Sequence, residues 1–255
     1  MKKREMKGQI SIFVIISIVV IFGVIIISFF LVKDNSVVRE YINRNSVSSE
    51  IMPVYEKMDS CSNQIVIDAI RIVGLQGGYV KLPNNYLATN LGNIAYGYYN
   101  GKNTLPSKVI MEKEISSYIE GVSPLCLYDD VLINYKIVNE KPIVETKINK
   151  DNVEVSVSMN IFVTKNNVTY KLDKTYNSKI LIRLGDMIDV ANEIVEREKK
   201  DPGYIPLTYL SELDYNILTM PNDDNDVVYA IVDRSNKSLV DGVAYSFLFA
   251  NKLGA

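Results

Sequence analysis

The chain has 255 residues and a formal net charge of −2, with 28 Lys and Arg against 30 Asp and Glu. Histidine and tryptophan are absent, which excludes Ser-His-Asp triads, Cys-His pairs and the commonest zinc and iron ligand sets. With charges near balance and no basic block beyond the N-terminus, nothing points to nucleic acid.

Residues 1–9 form a basic leader in which Lys2, Lys3, Arg4 and Lys7 are offset only by Glu5. Ile10–Val32 then runs for about 23 residues without a charge, a helix of roughly 34 Å against a hydrocarbon core of about 30 Å. Its interruptions, Ser11, Ser17, Gly23 and Ser28, are ones a lipid-buried helix tolerates. A cleaved signal peptide is shorter and ends in small residues, whereas this run ends in Phe29-Phe30-Leu31-Val32-Lys33. A buried core helix is rarely apolar all round. The expected reading is a single-pass anchor in the cell membrane, with the leader cytoplasmic and everything after Val32 outside. The first partner is therefore the lipid bilayer.

The lead-in Lys7-Gly8-Gln9-Ile10-Ser11 resembles the start of archaeal pilin-like precursors, where a basic stretch ending in Gly is removed before a Gln that opens the helix. The resemblance implies processing between Gly8 and Gln9. It departs from the pattern at Phe13, where such precursors carry a Glu that registers subunits in a filament.

Residues 33–49 are polar and read as a stalk, and 50–255 as one exterior domain. Ser48-Ser49-Glu50 starts a helix in which Ile51, Val54, Tyr55, Met58, Cys61, Ile65, Ala69 and Ile72 recur at three- and four-residue spacing. Pro53 fits its first turn, and Gly74 its left-handed stop. Gln76-Gly77-Gly78 turns into a short strand, Tyr79–Leu82, ended by Pro83. A strand at Ile94–Tyr99 turns at Asn100-Gly101. A second helix begins at Pro106, faces Val109, Ile110, Met111, Ile115, Tyr118 and Ile119 inward, and closes at Gly121.

Val131–Val138 and Ile143–Ile148 read as strands on either side of Asn139–Pro142. Val153–Ile161 alternates apolar and polar residues, and Asn166-Asn167 supplies a turn before Val168–Leu172, giving an antiparallel meander with one wet face. The period is helical again over Leu184–Lys200, through Met187, Ile188, Ala191, Ile194 and Val195, until Asp201-Pro202-Gly203. A short helix over Leu207–Leu213 and strands at Tyr215–Thr219, Val227–Asp233 and Val243–Ala250 complete the chain. The fold class is α+β: a transmembrane helix and stalk, then antiparallel sheet with about three packed helices.

Only Cys61 and Cys126 carry thiols, and both fall on the expected outer side. A mutual disulfide is the favoured fate there, and closing a loop of about 65 residues contributes on the order of 4 kcal/mol. A reactive thiol is the alternative, but neither cysteine has a His or a local cationic setting. Two glycosylation sequons stand at Asn167-Val168-Thr169 and Asn236-Lys237-Ser238.

Several blocks together form a further pattern: Lys-Gly-Gln-Ile-Ser and its apolar helix, Gly74–Val80, Tyr96–Tyr99, Leu105-Pro106-Ser107 with Glu114 and Tyr118, and Phe247–Ala250. Together with Cys61 and Cys126 they resemble a family of uncharacterised single-pass membrane proteins from small-genome archaea of the DPANN group. The resemblance spans nearly the whole chain, and Gln76–Tyr79 is its most specific part. It implies an archaeal surface protein with an exterior α+β domain, and it brings no catalytic residues.

Other constellations have bland readings. Asn222, Asp224 and Asp226, with Asp233 further on, echo a calcium loop, but Val227 stands where its glycine belongs and Asp233 where its Glu belongs. A solvated turn explains them more simply. Gln76-Gly77-Gly78 offers an anion nest but lacks the helix and Lys-Ser/Thr of a phosphate loop, so a glycine turn is preferred. Tyr96, Tyr98 and Tyr99, near Tyr79 and Tyr86, present either an aromatic surface or alternating core and wet-face residues. No cofactor is expected. Three functions remain: a non-enzymatic surface protein binding other envelope proteins or itself, a pilin-like filament subunit, and a tethered carboxylate-dependent hydrolase. The last needs two convergent acids in a deep cleft.

Overall fold

The computed structural model describes residues 47–90, 92–201, 207–222, 225–233 and 237–253. The basic leader, the Ile10–Val32 run and the stalk up to residue 46 lie outside the described residues. Among those described, no helix is long and apolar enough to cross a membrane. The chain divides into a leading unit, Met1–Met52, and a body, Pro53–Ala255. The described part of the leading unit is a 3-10 turn, Ser49–Ile51, capped by Ser48 Oγ, which accepts from the Glu50 N–H.

Helix α1 (Met52–Leu75) carries Pro53 in its first turn, where the missing N–H has no intrahelical role. Its buried stripe is Val54, Tyr55, Met58, Ser62, Ile65, Val66, Ala69, Ile70 and Val73, so Cys61 and Ile72 sit at the stripe's edge. Gly74 does not stop the helix. It lies within it, where a Cβ would stand 2.6 Å from both the Ser246 carbonyl and the Tyr245 hydroxyl, so a close approach selects glycine. The left-handed stop falls at Gly77 (φ 72°), where the Gly78 N–H closes onto the Val73 carbonyl at 2.8 Å.

Tyr79–Leu82 is not a strand. The Val80 and Lys81 N–H groups both donate to one carboxylate oxygen of Glu114, at 3.0 and 2.9 Å, instead of to a ladder. Glu114 belongs to α2 (Lys108–Val122), whose N-cap is Ser107. Met111, Ile115 and Ile119 are buried there, whereas Val109 and Ile110 are exposed, so the inward face is narrower than the apolar residues suggest.

The first sheet contains β1 (Tyr86–Thr89), β2 (Gly92–Tyr99), β8 (Tyr215–Pro221), β9 (Asp226–Asp233) and β12 (Ser246–Lys252), in the order β1-β2-β12-β9-β8. The short β3 (Lys102–Asn103) folds back on β2 through Asn100-Gly101, both at positive φ. This sheet is not purely antiparallel, because β12 runs parallel to β2. Strands from opposite ends of the body meet in it, so no short connection constrains their direction. A bulge opposite Ala250/Asn251 pairs Ala250 with Tyr96 and Asn251 with Tyr98, leaving Gly97 as the extra residue. Tyr96 and Tyr99 therefore share one face, with ring centres 5.0 Å apart, and Tyr98 is buried away from that cluster. The last predicted strand is broken at Tyr245, and β10 (Leu239–Val240) pairs with β11 (Val243–Ala244) as a separate hairpin.

The second sheet is antiparallel and centred on β6 (Val153–Lys165). Strand β7 (Val168–Ile180) pairs along its full length on one side, and β4 (Lys136–Asn139) and β5 (Ile143–Ile148) follow each other on the other. Val153, Val155, Val157, Met159, Ile161 and Val163 form the buried face. The opposite face carries cross-strand hydrogen bonds between Ser156 and Asn177 and between Ser158 and Thr175, the expected wet face. Val131–Tyr135 is not strand: Asp130–Leu132 is a 3-10 turn, and pairing begins only at Lys136. Helix α1 meets this sheet where Tyr55 packs on Tyr176, and α2 lies along β5, where Glu112 accepts the Ile148 N–H at 2.9 Å. Helix α3 (Leu184–Lys200) crosses the first sheet over β2, β3 and β12, and the short α4 (Leu207–Glu212) precedes β8.

Candidate functional site

Cys61, in the third turn of α1, is bonded to Cys126 in a 3-10 turn, Ser123–Leu127, just after α2, with Cα atoms 5.8 Å apart. One helical turn before Cys61, Lys57 pairs with Asp129. The hydrogen bond from Lys57, and then that from the Val131 N–H, hold the Asp129 carboxyl below its usual range. Asp129 also caps the Asp130–Leu132 turn. Bond and ion pair together fasten this segment to the first half of α1.

The densest charge cluster surrounds Arg183, immediately before α3. Its guanidinium donates to Asp186 at 3.1 Å, Asp214 at 3.1 Å and Asp233 at 3.3 Å, and stacks on the Tyr215 ring 4.3 Å away. Burial opposes its charge, but Tyr215 and the three carboxylates outweigh that and raise its pKa. Asp186 is likewise held below the carboxylate range: burial would raise it, but hydrogen bonds from Tyr215 and Arg183, with Lys150 nearby, prevail. Ser238 donates to Asp233 and accepts from the Arg183 N–H. Its three hydrogen bonds to protein carboxylates make Arg183 a strut between α3, the start of β8 and the end of β9.

A second cluster is sealed. Glu198 on α3 has no solvent exposure and accepts from the Tyr229 hydroxyl and the Asn251 side-chain amide. Burial pushes its carboxyl upward, and those two hydrogen bonds only partly offset the effect. A raised carboxyl is what a general acid needs, but this one opens onto none of the surface hollows described below.

A hollow of ≈ 840 Å³, open to solvent, lies between α2 and β5 and is lined by Glu112, Glu120, Glu145 and Glu154 among others. Glu112 is engaged by the Ile148 N–H and Glu120 by Lys141. Glu154 is held below its usual range, chiefly by the hydrogen bond from Lys179. Glu112, Glu120 and Glu154 are thus each engaged by a protein group on an open surface. A second hollow of ≈ 600 Å³ is lined by Lys150, Asp151, Leu181, Arg183 and Lys237, and a third of ≈ 440 Å³ lies along Leu127–Asn139.

The remaining predicted positions scatter. Asp224 lies outside the described residues. Asp226 opens β9 and pairs with Lys252, while Asp233 closes the same strand and belongs to the Arg183 cluster. Seven steps at about 3.3 Å put them roughly 23 Å apart, too far to share an ion. Asn222 donates its N–H to the Asp226 carbonyl, as in a strand-joining turn. Among the described residues no group of three or more acids and cysteines is placed to hold a metal. The Gln76–Gly78 nest is consumed by the α1 cap, because the Gly78 N–H is bonded to Val73. Asn167 is exposed at the β6–β7 tip. Asn236 lies outside the described residues, but Ser238 of its sequon is buried and hydrogen-bonded at both ends. Gly8 and Gln9 also lie outside the described residues.

The Glu198 cluster escaped the sequence reading although its signal was there. Glu198 continues the Ala191, Ile194, Val195 stripe at the next helical turn, and Asn251 continues Phe247 and Phe249 at period two. A charge on an apolar stripe needs a buried partner. Arg183 offered no such cue, because its carboxylates come from three separate stretches of chain. No family model, characterised protein or solved structure matches this chain.

Proposed function

We propose that this is a cell-surface protein held in the membrane by Ile10–Val32, whose body binds other envelope proteins or further copies of itself. The observation that carries the reading is the pairing of an uncharged run of about 23 residues with a disulfide-closed body. The bridge suits an oxidising exterior, the side on which the basic leader leaves the body. The wet face of the second sheet, studded with Ser, Thr and Asn, offers the surface for such binding. Between α2 and β5, Glu112, Glu120 and Glu154 are each taken up by a backbone N–H or a lysine on an open surface, which is why binding is preferred to catalysis.

Protease added to intact cells is expected to degrade the body and leave a small membrane-bound fragment. An untouched chain would sink the topology. A pilin-like subunit is the second reading, favoured by Lys7-Gly8-Gln9-Ile10. Mass spectrometry of the native N-terminus separates the two, because a mature chain starting at Gln9 supports processing and an intact Met1 removes it.

A further inference from the structure

We infer that one end of the body docks on the lipid surface, with Leu125, Tyr128, Val131 and Ile133 seated at headgroup level. The inference rests on the anchored reading above and adds a second, separable contact with the same membrane.

The segment Leu125–Ile133 displays more apolar side chain than its burial requires. Leu125 is 61% exposed, Tyr128 80%, Val131 69% and Ile133 78%. They alternate with Cys126, Leu127 and Leu132, all buried. The loop is thus a folded element with an inner and an outer apolar set. The Cys61–Cys126 bond, the Lys57–Asp129 pair and the Asp129 cap on Val131 hold it in this shape. Docking would therefore order few additional groups. Exposed apolar groups gathered in so short a segment mark an interaction site.

Position selects lipid as the occupant. Both fastenings fall in the first three turns of α1, the helix through which the chain enters the body from the Ile10–Val32 side. Residues 33–46 separate Val32 from the first described residue and reach at most about 50 Å when extended, so an anchored body stays within range of the surface. The β6–β7 tip belongs to the same end of the body. Lys136 pairs with Thr164, and Lys165 lies over the Tyr135 ring at 5.1 Å. The tip adds Val168, 50% exposed, and the lysines Lys136 and Lys165. Tyrosine and branched aliphatic residues flanked by lysine suit the boundary between headgroups and chains. Two carboxylates stand in the segment: Asp129 is paired with Lys57, and Asp130 is exposed, so docking calls for a surface of low negative charge.

The chain has no tryptophan, so a single introduced indole is an unambiguous reporter. Full-length Tyr128→Trp and, separately, Leu181→Trp are reconstituted into liposomes containing lipids brominated near the top of their chains. Leu181 is also exposed, at 64%, but follows the far end of β7, about 40 Å along the sheet from Val168. The expected result is flotation of both proteins, with blue-shifted and quenched emission from Trp at 128 alone. Adding Val131→Asp and Ile133→Asp is expected to abolish the quenching without affecting flotation. Flotation with an unquenched indole at 128 overturns the docking and leaves the anchor standing. Failure to float overturns both. A blue shift that follows protein density and ignores brominated lipid shows that a protein covers the loop, and this also overturns the proposal.

Discussion

Gly74 and Gly121 are both helical glycines, yet they face opposite surroundings. A Cβ at Gly74 meets the Ser246 carbonyl and Tyr245 hydroxyl, whereas one at Gly121 meets nothing within 4 Å. Gly74→Ala is expected to destabilise by about 1–3 kcal/mol through overpacking, and Gly121→Ala to stabilise by up to about 1 kcal/mol through helix propensity. Urea unfolding of the two variants checks the pair, and equal effects would refute this account. Glu198 makes a prediction in pH. Its folded pKa is raised, so the native state binds its proton more tightly than the unfolded chain does. The stability it contributes is full below the unfolded value of about 4.3 and is lost as pH rises through the folded value. The stability of the wild type relative to Glu198→Gln should therefore fall as pH rises above about 4.3. A difference that does not change with pH would contradict the burial argument.

Joints between elements depend on a few polar contacts whose loss strands a partner. Arg183→Met leaves Asp186, Asp214 and Asp233 without their shared cation, and the Asp233 side chain is fully buried. Breaking a buried pair on one side costs about 3–5 kcal/mol, so this variant should show a clear drop in unfolding midpoint. The β6–β7 turn holds Asn166 and Asn167 at φ of 51° and 63°. Asn167→Val should cost about 1–2 kcal/mol, because a branched side chain disfavours the left-handed region, whereas Asn167→Gly should match or exceed the wild type. Thermal melts of the two variants decide this, and indifference to valine would mean that the turn can change type. These local devices were largely legible from sequence. Asn100-Gly101, Asn166-Asn167 and the Leu184–Lys200 stripe all formed where expected. Asp241-Gly242 carries an equally plain turn signal, and it joins strands only two residues long.

Across the body, the single covalent crosslink joins α1 to the exit of α2. Removing it by Cys61→Ser with Cys126→Ser should cost about 2–5 kcal/mol, read as a lower unfolding midpoint than that of the oxidised wild type. Reductant should lower the wild type to the same midpoint and leave the double variant unchanged. A wild type indifferent to reductant would show that the bond adds nothing to folding. The same crosslink holds the Leu125–Ile133 segment in place, so reduction is also expected to weaken the quenching of an indole at position 128.

Periodicity and turn chemistry determined what this chain could announce unaided: an uncharged N-terminal run, an α+β body, the strands that became β5, β6, β7 and β9, and the cysteine pair. Those signals depend on neighbours along the chain, and neighbours are visible in a string of letters. Tertiary packing alone decided the parallel meeting of β2 and β12, the Gly97 bulge that parts Tyr98 from Tyr96, the diversion of Val80 and Lys81 to Glu114, and the role of Gly74. Each of these depends on a partner tens of residues or more away, and no local pattern encodes which distant group will arrive.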